Sequence, residues 1–156
     1  MNYQELSKEE LEKALKSLYA NYDKLLEKLS FNGNYECICG SISKQITDFL
    51  RGIGIKANYM SGTYIGRGTE FSGGKVTSHC WVELWLKLKD VYYYQNSEIK
   101  VIIDGAYAQF FPFELTPRIT RDKQRLTIFV NDKTAEQWYI GKEEDNWQWE
   151  QKKNAN

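Results

Sequence analysis

The run from His79 to Leu88 constrains the fold most. Its even positions are Cys80, Val82, Leu84, Leu86 and Leu88, and its odd positions are His79, Trp81, Glu83, Trp85 and Lys87. A strict period of two demands a β-strand whose faces differ in character. The even set predicts the core face. The odd set, His79 included, predicts an exposed or groove-lining face. A strand needs neighbours, so the rest of the chain must supply a sheet and something to cover it.

The covering elements are legible upstream. Ser7-Lys8-Glu9-Glu10 has the form of a capping box, and Leu11, Leu15, Leu18, Tyr22, Leu25, Leu26 and Leu29 keep helical spacing. A helix from about Lys8 to about Leu29 is expected. A second stripe, Ile42, Ile46, Phe49, Leu50 and Ile53, predicts a half-buried helix that Gly52 and Gly54 bring to an end. A strand should follow at about Ile55–Tyr64. Ile65–Gly74 carries four glycines and reads as a loop or hairpin tip. It lacks the Lys-Ser/Thr ending of a phosphate loop. Downstream, Lys89–Ser97 reads as a hairpin connection, Glu98–Ile103 as a strand ending in Asp104-Gly105, and Gly105–Phe111 as a short helical turn. Arg125–Val130 reads as a further strand, Asn131-Asp132-Lys133 as a turn, and Trp138–Gly141 as a last strand. Two helices before a run of strands give the α+β class. The whole chain, 1–156, reads as one domain with its core at about 31–130 and a polar tail from about 142.

Composition narrows the function classes. Lysine plus arginine balance aspartate plus glutamate, with both signs interspersed, so neither nucleic acid nor an anionic membrane surface is the expected partner. No apolar run approaches a membrane span and the first residues lack a signal-peptide pattern, which suggests a cytoplasmic protein. Three cysteines, two of them one residue apart, make a poor disulfide framework, so reduced thiols are expected.

Chemistry concentrates at three points. Cys39 falls at the first turn of the second helix, where unpaired N–H groups and the dipole favour a thiolate and can hold an oxyanion. His79, the only histidine, opens the clearest strand. Asp104 closes the next one. If the two strands pair as a hairpin, the carboxylate returns beside the imidazole. In the order Cys, His, Asp, these are a nucleophile, a general base and a carboxylate that orients the base. The Cys39 thiol is accordingly expected to ionise below the ordinary thiol value. Cys37 reads as a small residue before the helix, and Cys80 as core. A zinc site from Cys37, Cys39, His79 and Cys80 is disfavoured, because Cys-x-Cys is tight and adjacent strand residues face opposite sides.

These segments resemble the transglutaminase-like branch of the papain-like cysteine enzymes. Leu50-Arg51-Gly52-Ile53-Gly54-Ile55-Lys56-Ala57 is similar to the family's Leu-Arg-x-x-Gly-Ile-x-Ala, and the family's distance back to the nucleophile selects Cys39. His79-Cys80-Trp81-Val82-Glu83 is similar to His-x-Trp-Val-Glu. Asp104-Gly105-Ala106, with Gln109-Phe110 beyond, is similar to the family's aspartate segment, although Gly-Ala replaces the usual Pro-Thr. The resemblance implies a papain-like or transglutaminase-like fold, with N-terminal helices packed on an antiparallel sheet. It further implies a Cys39-His79-Asp104 triad that needs no cofactor and no metal. The activity implied is cysteine-dependent acyl transfer on an amide bond of a protein or peptide substrate, whether as protease, deamidase or transglutaminase. The alternative is a non-catalytic binding module on the same fold, with Trp81 and Trp85 facing a partner.

Overall fold

The computed structural model describes residues 3–29, 39–66, 77–89, 98–107 and 126–144. In chain order the elements are β1 (Gln4–Leu6), α1 (Lys8–Glu27), α2 (Cys39–Gly52), β2 (Asn58–Tyr64), β3 (Thr77–Leu88), β4 (Glu98–Asp104), β5 (Thr127–Val130), α3 (Lys133–Glu136) and β6 (Tyr139–Glu143). The strands form one sheet in the order β5-β4-β3-β2-β6, all antiparallel, with β1 added parallel to the C-terminal end of β3. The class is therefore α+β.

α1 begins where its sequence says. Ser7 accepts from the Glu10 backbone N–H while the Glu10 carboxylate accepts from the Ser7 N–H, so two orphan donors are satisfied reciprocally. Its stripe Leu11, Leu18, Tyr22, Leu25 and Leu26 is buried. α2 ends in a Schellman turn: Ile55 N–H donates to Leu50 O at 2.9 Å and Gly54 N–H to Arg51 O at 3.1 Å. Gly54 sits at φ +89°, a conformation that only glycine adopts without strain. The Arg51 guanidinium donates twice to Ala57 O, at 3.1 and 2.9 Å, and ties the helix end to the start of β2. This turn corrects two expectations. Ile53 lies on the turn and points to solvent, 46% exposed, instead of completing the buried stripe. β2 opens at Asn58, because residues 53–57 are spent on the reversal.

The larger correction concerns β3. Its even face packs on α1 and α2, with Val82, Leu84 and Leu86 fully buried among Leu18, Ile42, Ile46, Leu50, Val101 and Ile103. Its odd face is buried too. His79, Trp81, Glu83 and Trp85 are all under 10% exposed. A second cluster of Met60, Tyr64, Trp81, Trp85, Ile102, Tyr107 and Tyr139 covers this side. The aromatic face thus forms a second core, so Trp81 and Trp85 are not available as a partner-binding surface.

The C-terminal region departs from the sequence reading in detail. Asn131 takes φ 51°, and Asp132 caps a short helix, α3, accepting from Ala135 N–H at 3.0 Å, where only a turn was expected. Lys142 and Glu143 belong to β6, not to a tail. β1 was not anticipated, being three residues long. Cys37, most of the glycine-rich loop, the 90–97 connection, Gln109-Phe110 and the chain beyond 144 lie outside the described residues.

The turn after β4 joins both layers. A Cβ on Gly105 would lie 2.8 Å from Ile46 Cδ1 and 2.9 Å from Ile42 Cγ1, so the backbone here packs directly on α2. The Tyr22 hydroxyl, from α1, donates to the Gly105 carbonyl. Gly105→Ala should therefore cost about 1–3 kcal/mol by overpacking. Adding Ile46→Val, which removes the Cδ1 methyl, should return part of that loss. Urea unfolding of the single and double variants measures both, and a neutral Gly105→Ala would contradict the packing.

Candidate active site

The site is built around Asp104, the last residue of β4 and fully buried. Antiparallel pairing of β3 and β4, with Val82 opposite Ile103, sends its side chain to the face that carries His79 and Trp81. His79 Nε2 lies 2.7 Å from Asp104 Oδ2. An ionised carboxylate only accepts, so Nε2 donates and Nδ1 is left as the basic nitrogen of the ring. The Tyr139 hydroxyl donates to the same Oδ2 at 2.8 Å, and the Ala106 backbone N–H donates to Oδ1 at 3.0 Å. Three donors from β3, β6 and the β4 turn thus compensate a carboxylate withdrawn from water.

The imidazole is walled by rings. Trp81 stacks on it with centroids 6.1 Å apart, Tyr64 stands edge-on at 6.0 Å, and Tyr139 is tilted at 6.2 Å. Trp81 is itself clamped. Glu83 accepts from the Trp81 indole N–H at 2.8 Å on one oxygen and from that of Trp85 at 2.8 Å on the other. Lys100 Nζ lies 3.7 Å from the carboxylate and offsets its charge. The segment His79-x-Trp81-x-Glu83 is therefore one file of side chains on one face, each fixed by the next.

Cys39 is the first residue of α2 and is half-buried. Its thiol interacts with that of Cys80, which lies on the opposite face of β3 from His79 and one residue along. The Tyr59 hydroxyl donates to Cys80 Sγ at 3.2 Å. A hydrogen bond from Cys39, assisted by Tyr59, lowers the Cys80 thiol to about 6. The same interaction with Cys80, together with burial, pushes Cys39 upward. This overturns the expectation of a lowered Cys39. Two adjacent thiols share one proton, so the pair loses its first proton readily and holds the second. Tyr59 is raised mainly by burial and so remains a donor.

The sequence reading expected a hairpin to return Asp104 beside His79, with Cys39 as the third member of the group. The structure joins His79 to Asp104 directly and sets Cys39 against the residue after His79. The β4 ladder begins only at Val82, so the Thr77–Trp81 end of β3 has no β4 partner among the described residues. That unladdered end is the part of β3 nearest the Asp104–Gly105 turn, which itself packs on α2. Tyr139, Tyr64 and Tyr59 were missed. No spacing marks a tyrosine whose partner lies across a sheet. Glu83 was visible as a carboxylate between two tryptophans of the same parity, but was assigned to an exposed or groove-lining face.

A carboxylate-fixed imidazole on the sheet, and a half-buried thiol at the start of the helix that packs on the sheet's other face, define the class to be compared. The family comparison agrees with that class: the model of the transglutaminase-like superfamily matches residues 6–97, and the chain belongs to this superfamily. The matched span includes Cys39 and His79 and stops before Asp104. Searches of curated proteins and of solved structures give no significant match.

The role of Tyr139 is open to a direct check. Burial and the neighbouring Asp104 charge raise its phenol far above the ordinary range, so it stays a donor at every accessible pH. Tyr139→Phe keeps the ring and deletes the bond. It should cost about 1–3 kcal/mol at neutral pH, read by chemical unfolding. A stability equal to wild type would mean that Asp104 does not depend on this donor.

Proposed function

We propose that the chain is a cysteine-dependent acyl-transfer enzyme acting on an amide bond of a protein or peptide, with Cys39 as nucleophile, His79 as general base and Asp104 as the group that orients it. The arrangement proposed is papain-like, with the nucleophile on a helix start and the base and its carboxylate on the sheet. The observation that carries this reading is the buried His79–Asp104 hydrogen bond of 2.7 Å in a chain whose only histidine it employs. An imidazole held in this way by a carboxylate has its basic nitrogen defined and its charged form compensated, which are the two properties a general base needs.

Because Cys39 holds its proton at rest, the first step needs that base. His79 Nδ1 takes the thiol proton as Sγ attacks the carbonyl carbon. The developing oxyanion is met by the Cys39 backbone N–H at the positive end of α2. The imidazolium, balanced by Asp104, returns the proton to the departing amine and leaves a thioester. Water then gives hydrolysis or deamidation, and an amine gives transamidation. Among the described residues no helix is long and apolar enough to cross a membrane. Free thiols suit a reducing compartment such as the cytoplasm.

Labelling by a thiol-directed acyl probe tests the assignment. Cys39→Ala should abolish labelling while Cys37→Ala keeps it. The mass change of candidate substrates then sorts the reaction: a lost peptide means proteolysis, a gain of about one dalton deamidation, and a linked pair transamidation. Equal loss of labelling from Cys37→Ala would assign the nucleophile to the wrong cysteine.

A further inference from the structure

Cys80 has no task in that mechanism, yet its surroundings are not those of a core filler. It lies on the α2 side of β3, opposite Ser61 of β2. A Cβ on Gly40 would lie 3.9 Å from its sulphur, so Sγ sits against the first turn of α2, beside Cys39. The Tyr59 hydroxyl donates to it at 3.2 Å. Neither Cys39 nor Cys80 is in a disulfide, and both are half-buried, partly open to a small solute. We propose that Cys39 and Cys80 form a thiol-modification site, a dithiol that a hydroperoxide oxidises to a disulfide.

The chemistry balances with the hydroperoxide as oxidant. One sulphur, as thiolate, attacks a peroxide oxygen, the O–O bond breaks, and the departing oxygen leaves as water or an alcohol after taking a proton. The attacking sulphur, now bonded to that oxygen, is a sulfenic acid. The second thiol, as thiolate, attacks that sulphur, forms the S–S bond and expels hydroxide, which leaves as water with the remaining proton. The two sulphurs together lose two electrons, and the two peroxide oxygens gain them. The shared proton suits the first step, because one of the two sulphurs ionises at about pH 6, below an ordinary thiol. The Tyr59 phenol supports charge on Cys80, and Lys44 Nζ, 5.7 Å from the Tyr59 ring centre, is the nearby cation on α2.

The consequence follows from where Cys39 stands. In the disulfide its sulphur has no proton to give and no lone thiolate to attack with. Acyl transfer stops until a reductant reopens the bond, and the sulphur is spared irreversible oxidation meanwhile. This consequence rests on the proposed role of Cys39. The dithiol itself does not, and its test needs no enzymatic activity.

The experiment treats reduced full-length protein, carrying Cys37→Ser so that the neighbouring thiol cannot intervene, with a small excess of hydrogen peroxide. Intact mass and non-reducing peptide mapping follow. The expected product is lighter by about 2 Da and holds one cross-linked peptide pair joining Cys39 to Cys80, undone by dithiothreitol. With Cys80→Ser added, the cross-link should vanish, and Cys39 should gain about 32 Da as a sulfinic acid that dithiothreitol does not reverse. Acyl-probe labelling of the Cys80-containing protein should be lost on oxidation and return on reduction. If Cys39 and Cys80 emerge unlinked, each carrying oxygen, the proposal is overturned. If wild type links only through Cys37, it is overturned as well. A correct disulfide in a protein that never labels with the acyl probe would sink the acyl-transfer reading and leave the dithiol standing.

Discussion

The structure depends on how one buried carboxylate is satisfied. Asp104 is fully buried, and an ion of that size out of water costs several kcal/mol unless donors replace its hydration. The donors come from His79 on β3, Tyr139 on β6 and the Ala106 backbone on the turn. They converge only if β4 pairs with β3 in one register and β6 closes on the far side of β2. The next residue, Gly105, is packed on α2 and held by Tyr22 of α1. The carboxylate therefore couples the sheet register to the seating of both helices. Its orientation of the imidazole is a by-product of the arrangement that makes its burial tolerable.

A second consequence is that β3 is buried on both faces by different chemistry. The α side is aliphatic and close-packed. The other side is a file of His79, Trp81, Glu83 and Trp85 roofed by tyrosines. Glu83 shows how a charge is held in such a place: each oxygen accepts from an indole and Lys100 lies near. Gly141 lets the roof come down, since a Cβ there would meet the Trp81 ring at 2.7 Å. The rigidity of the ring stack around His79 is thus inherited from the second core.

Much of this was legible in the sequence, and the rest failed for definable reasons. The capping box, the leucine stripe of α1 and the period of β3 are local signals, and local physics decided them. The hairpin pairing that brings Asp104 to His79 could be anticipated because β3 and β4 are consecutive. Ile53 misled because a Schellman turn continues the helical spacing by one step while the chain has already turned outward. The odd face of β3 misled because alternating polar residues read as a wet face, whereas Glu83 is satisfied by the two indoles that flank it and His79 by Asp104. Nothing near them in sequence announces the covering Tyr139 or the nearby Lys100. Cys80 read as core because alternation assigns a face, and a face does not tell which side chain stands over it. The lowered thiol consequently proved to be Cys80, and the raised one Cys39.

The central claim is that His79 acts as the base for Cys39. It is tested most directly by the pH dependence of alkylation at Cys39, followed at its own peptide, in wild type and in His79→Gln. Glutamine can still hydrogen-bond to Asp104 but cannot take a proton. A thiol loses reactivity as pH falls and its sulphur becomes protonated. With His79 present, the imidazole takes the thiol's proton as the sulphur attacks, so reactivity should set in at lower pH than in the variant. In His79→Gln the rise should move to or beyond the range of an ordinary thiol, about 8.5. Superimposable profiles for the two proteins would mean that the imidazole and the thiol do not communicate, and would contradict the account.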